Sequence, residues 1–162
     1  MSVTSQSRST ASTRHTRPAT IKWLVALLGL LTVGALQGGI AMVADPLEPL
    51  GMPVSYLDGT PIDDYVLPGL FLLGIAAACL VTIAGLLFRW DWKWAAPIEK
   101  GMGHRWPWLA ALATGGVLLI FEIIELFLVP FHPVMHPLLV AGSLAIIALV
   151  LTPTARSHLK RT

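Results

Sequence analysis

The sequence predicts an all-α integral membrane protein: a four-helix transmembrane bundle with both termini cytoplasmic and a structured outer loop between spans 1 and 2. Three observations carry this. The chain is 55% hydrophobic and only 12% charged, with a mean hydropathy of +0.72, whereas a soluble domain is about one-quarter charged. Four apolar segments, residues 21–44, 66–88, 107–129 and 134–152, approach or exceed the ~20 residues that cross a hydrocarbon core. The basic residues fall in three clusters, and those clusters alternate with the spans. The apolar runs are continuous rather than alternating, which excludes a transmembrane β-barrel.

The eleven Lys and Arg are Arg8, Arg14, Arg17 and Lys22, then Arg89, Lys93, Lys100 and Arg105, then Arg156, Lys160 and Arg161. Residues 45–65 contain none, and carry Asp45, Glu48, Asp58, Asp63 and Asp64. Positively charged loops stay in the cytoplasm. Both termini and the 89–106 loop are therefore expected inside the plasma membrane, with the 45–65 and 130–133 loops outside. An even number of spans agrees with both termini lying on one side. The pI near 9.0 then reflects membrane topology, and no nucleic-acid partner is expected.

Residues 1–20 are rich in Ser and Thr, basic and without an acid, so they are expected to form a disordered cytoplasmic tail. Span 1 contains Gly34-x-x-x-Gly38 followed by Gly39. Span 2 has Gly74 and Ala78, span 3 Ala111 and Gly115, span 4 Ala141 and Ala145. Small residues four apart share a helical face and let helices approach closely. Cys79, the only cysteine, reads as a small apolar packing residue in span 2.

The outer loop is not linker-like. Pro46, Pro49, Pro53 and Pro61 stiffen it, while Leu47, Leu50, Met52, Val54, Leu57 and Ile62 call for burial. A folded cap over the bundle is expected, with a turn at Asp58-Gly59. Thr60 reads as the N-cap of a helix, with Pro61 at its first position, Asp63 near its positive end and Pro68 a possible kink. The inner loop alternates aromatic and charged residues. Trp90, Trp92, Lys93, Trp94 and Arg105 are expected in the lipid headgroup layer, and Trp23, Trp106 and Trp108 at the same interface. Residues 153–162 form a second basic cytoplasmic tail.

Across the first loop the sequence runs Gly38-Gly39, Asp45-Pro46, Leu50-Gly51-Met52-Pro53, Pro61 with Asp64-Tyr65, and Pro68-Gly69. This resembles the pattern of an uncharacterised family of small bacterial multi-span membrane proteins. The resemblance covers roughly the first half of the chain. It implies the same fold and a bacterial membrane setting, and it carries no activity and no catalytic residue.

The chemistry-bearing residues cluster in spans 3 and 4. Glu122 and Glu125 are three apart on nearly one helical face. At ~1.5 Å per residue, Glu122 matches the depth of Gln37 in span 1, and Glu125 that of His136 in span 4. An intramembrane polar cluster of Gln37, Glu122, Glu125 and His136 is expected in the outer leaflet, under an outer mouth of His132, Asp63 and Asp64. A carboxylate at mid-helix depth costs ~2.5–3.5 kcal/mol in lipid, so these groups face the interior. Three readings compete for them: a structural hydrogen-bonded knot, a proton or cation path, and a metal site of Glu125, His132 and His136. The last has no recognised ligand spacing behind it.

Walker, GxSxG, HExxH and CxxC motifs are absent. The expected function is therefore non-enzymatic and without a cofactor: an accessory or scaffold subunit that binds lipid and a membrane-protein partner, or a homo-oligomer. The alternative is an oligomeric small transporter or proton/cation pathway that uses Glu122 and Glu125.

Overall fold

The structure is a computed structural model that describes residues 18–88, 92–128 and 135–160. The described residues are α-helical, with short 3-10 turns and no strand; the one β-bridge joins His104 to Lys160. Six α-helices are described: α1 Ala19–Ala44, α2 Val66–Phe88, α3 Ala96–Met102, α4 Trp106–Leu128, α5 Met135–Leu151 and α6 Pro153–His158. Residues 1–17, most of the expected N-terminal tail, lie outside the described residues, as do Trp90 and His132.

Three helices, α1, α2 and α4, are long and apolar enough to cross a membrane. Large apolar side chains stand exposed along them, including Leu30, Val33, Leu67 and Ile120. A contiguous surface of that kind suits lipid and not water. The fourth expected span, residues 134–152, is described from residue 135. Helix α5 has 17 residues, and at ~1.5 Å per residue it reaches ~26 Å against a ~30 Å hydrocarbon core. Thr152 ends it by turning its hydroxyl back to cap α6, accepting from the Ala155 N–H, with Pro153 at the first position of α6.

Helix α1 packs along α2, α4 along α5, α2 along α4, and α1 along α5. A stripe of Ile21, Leu24 and Leu28 from α1 meets Cys79 and Leu86 of α2, Ala111 of α4, and Ile146 and Val150 of α5. The spacing of the α1 residues follows the helical repeat, so one face enters the core and the opposite face is left outside. The closest approach of α1 and α2 is between Gly39 and Gly69. A Cβ on Gly39 would lie 2.9 Å from the Gly69 carbonyl oxygen, and one on Gly69 would lie 3.0 Å from that of Gly39. Both glycines belong to the first-half pattern quoted above. Gly34 has nothing within 4 Å of an added Cβ, whereas one on Gly38 would lie 3.2 Å from Leu72 of α2, so only the Gly38 end of Gly34-x-x-x-Gly38 packs against α2. Gly74, Ala78 and Ala141 are likewise exposed, and among the expected small pairs it is Ala111 and Gly115 that pack inward against α5.

The 45–65 loop folds as expected into a cap, with 3-10 turns at Pro49–Gly51 and Val54–Leu57 and a turn at Asp58-Gly59, where Gly59 takes φ +85°. Leu57 and Tyr65 are buried against Met42 of α1, with Met52, Val54, Ile62 and Leu72 around them. Two details differ from expectation. Leu47 and Leu50 are exposed; Leu50 sits at φ +55°, while its neighbour Pro49 takes the buried position. The helix starts at Val66, not after Thr60. The Thr60 hydroxyl instead closes a local turn with the Ile62 N–H, and the Asp64 carboxylate accepts the Val66 N–H at 2.9 Å. The later start places Pro68 in the first turn, where a missing N–H costs no helical bond.

The opposite end is also folded. The Glu99 carboxylate of α3, itself buried, accepts the Trp106 N–H at the start of α4 at 2.8 Å. Acidic groups are favoured there by the exposed amides and the helix dipole. The Arg105 N–H donates to the Leu159 carbonyl at 2.8 Å, and the Trp108 indole N–H to the Val150 carbonyl at 3.0 Å. The tail from residue 153 is thus packed, with Ala155 and Leu159 buried.

Candidate functional site

Glu122 and Glu125 lie on α4, and His136 lies in the first turn of α5, at the cap end of the fold. Glu122 is 1% exposed and His136 5%; Glu125 is half-buried. His136 Nδ1 stands 3.4 Å from Glu122 Oε2. One donor atom from each of Glu122, Glu125 and His136 can be chosen so that all three lie within 4.8 Å of one another. The i, i+3 spacing puts the carboxylates one above the other on α4. Antiparallel packing of α5 then delivers the imidazole to the same level.

Three of the four expected cluster members therefore meet. Gln37 does not join them. It is exposed on α1, about 200° around the helix from Gly39, which faces α2. Its depth matches, but its face is the wrong one. Asp63 is exposed, and Asp64 is committed to the start of α2. His132 lies outside the described residues. The expected headgroup residues Trp92, Lys93 and Trp94 are exposed, whereas Arg105 is half-buried and Trp106 is buried beside Gly85.

Tyr65 is the cap residue that the sequence did not single out. Its N–H donates to the Pro46 carbonyl and its hydroxyl to the Pro53 carbonyl. Its pKa is raised, first by burial, then by Tyr56 and by the Glu125 carboxylate. The signal available in sequence was the Asp64-Tyr65 step of the first-half pattern.

Away from the cap, the hydroxyls are self-satisfied. Thr32, Thr82, Thr114 and Ser143 each donate to the carbonyl four residues earlier in their own helix, at 2.7–2.8 Å. Such bonds are the usual state of hydroxyls inside membrane helices. These four hydroxyls therefore do not extend the cluster toward the other end. Phe71 and Phe121 stack at 4.5 Å between α2 and α4 beside Glu122.

Comparison with known proteins finds no matching family model, no matching curated protein and no matching solved structure.

Proposed function

We propose that the chain is a non-enzymatic accessory or scaffold subunit of a bacterial plasma membrane, with α1, α2, α4 and α5 as four spans, both termini cytoplasmic and the cap outside. The charge distribution supports the orientation. Lys22, Lys93, Lys100, Arg105, Arg156 and Lys160 fall at the non-cap end, and the cap carries acids and no base. Trp92, Lys93 and Trp94 anchor the inner face in the headgroups.

Gln37 carries the partner reading. Its amide is exposed ~10 Å below the cap end of α1, and no hydrogen bond to it occurs among the described residues. In hydrocarbon such an amide is satisfied by another membrane helix, and bonds of this kind contribute ~0.6–2 kcal/mol. Gly34 and Ala41 lie one turn to either side and leave room for close approach. The partner is a second copy or another membrane protein.

Mild-detergent purification from the native membrane, with native mass measurement, tests this. The expected result is a stoichiometric partner or a homo-oligomer that Gln37→Leu releases without loss of the folded chain. A monomer carrying only lipid overturns it. The transporter alternative draws on the buried Glu122 and the nearby Glu125. It requires a polar route to the inner face, and the self-bonded hydroxyls weigh against one.

A further inference from the structure

We propose that Glu122, Glu125 and His136 form a binding site for one divalent transition-metal ion of the Zn2+ or Mn2+ class. The proposal rests on the geometry of the cluster and is independent of the partner reading. Metal–nitrogen and metal–oxygen bonds of about 2.0–2.2 Å set neighbouring ligands of a tetrahedral ion about 3.4 Å apart. His136 Nδ1 and Glu122 Oε2 already stand at 3.4 Å, and the Glu125 donor lies within 4.8 Å of both. Side-chain rotation on the order of 1 Å closes the set.

Charge points the same way. Two carboxylates and one neutral imidazole carry a charge of −2, which a divalent ion cancels. At this burial a net charge is costly, whereas a neutral metal–ligand set is not. Donor chemistry narrows the ion. Imidazole with carboxylates suits Zn2+, Mn2+ or Fe2+, whereas Ca2+ calls for six to eight oxygens and Mg2+ for an oxygen octahedron. Three protein ligands leave at least one coordination position for water or an external donor. Helix spacing also explains why the set is not a familiar motif: the two glutamates come from one turn of α4, and the third ligand comes from the helix that packs back on it.

The test uses the full chain, purified without a polyhistidine tag, stripped with chelator and dialysed against Zn2+ or Mn2+ alone. One equivalent per chain is expected in the wild type. Binding should weaken at least ~10-fold in Glu125→Gln and in His136→Ala. Glu125→Gln is the safer variant, because Glu125 is half-buried and the change is isosteric. Co2+ should give ligand-field absorption in the wild type that each variant loses. His15, His104 and His158 provide the control, since adventitious binding through them survives both substitutions. The proposal is overturned by substoichiometric metal in the wild type. It is equally overturned by unchanged binding in a Glu125→Gln protein that melts like the wild type.

Discussion

Gly39 and Gly69 face each other across α1 and α2, each standing where a side-chain carbon on the other would press on backbone. A Cβ on Gly39 would also lie 2.8 Å from Leu73 Cγ. Gly39→Ala or Gly69→Ala should therefore destabilise the chain by ~1–3 kcal/mol, the usual range for overpacking. Gly34→Ala, with nothing within 4 Å, should not lower the melting temperature in detergent and should raise it slightly through the better helix propensity of alanine. Thermal melts of the three variants check this, and equal behaviour would refute the packing described.

Glu99 predicts a second effect. Removing its carboxylate leaves the Trp106 N–H at the start of α4 without that acceptor. Glu99→Ala should cost ~1–3 kcal/mol, and Glu99→Gln, which keeps an oxygen, less. Amide exchange at Trp106 should rise in the alanine variant; unaltered protection there would count against the cap.

Tyr65 sets the alkaline limit of the cap. Burial, Tyr56 and Glu125 raise its pKa above the ordinary value of 10.0. Between the unfolded and folded values the unfolded chain binds fewer protons, so stability falls as pH rises. The contribution is fully present below about pH 10 and is lost as pH passes the folded value. Tyr65→Phe should remove this alkaline loss, at the cost of about 1 kcal/mol for the bond to Pro53. Melts across pH 8–12 would show a flattened profile in the variant; parallel profiles would exclude Tyr65 as the group responsible.

Glu122 separates a hydrogen-bonding role from a merely apolar one. Glu122→Gln keeps a partner for His136 and should change membrane abundance little. Glu122→Leu deprives a histidine that is 5% exposed of this partner and should destabilise by ~1–3 kcal/mol. Quantitative blots of membrane fractions compare the two, and equal abundance would speak against the pairing.

Topology can be read with one added thiol. Cys79 is fully buried, so an impermeant maleimide should ignore it in the folded chain. Asp58→Cys, on the exposed cap, should react in intact cells. Reaction only after lysis would reverse the orientation.

Much of this fold is legible in composition, because a 20-residue apolar run has few alternatives. Depth is legible too: counting residues from the span ends matched Glu125 to His136 and set Glu122 three residues deeper, and the three meet. Azimuth is harder. Gln37 has the right depth, but the face of α1 that packs is chosen by Gly39 meeting Gly69, a tertiary event. Thr60 misled for a related reason. Its Pro61 and Asp63 satisfy every local rule for a helix start, and yet Pro68 is better placed seven residues later, once the cap holds Tyr65 down. The end away from the cap was hidden differently. Glu99 sits in a charged segment whose composition reads as headgroup layer and Leu159 in one that reads as a basic tail, and only their long-range partners give them a structural role.

The bond from the Arg105 N–H to the Leu159 carbonyl also has a consequence in time. Residue 105 is made long before residue 159. At about 5–20 residues per second the interval lasts several seconds, during which the start of α4 has Glu99 and Gly85 beside it but not yet the Leu159 carbonyl. Forming the helices and latching this end are therefore separate events in the life of each chain.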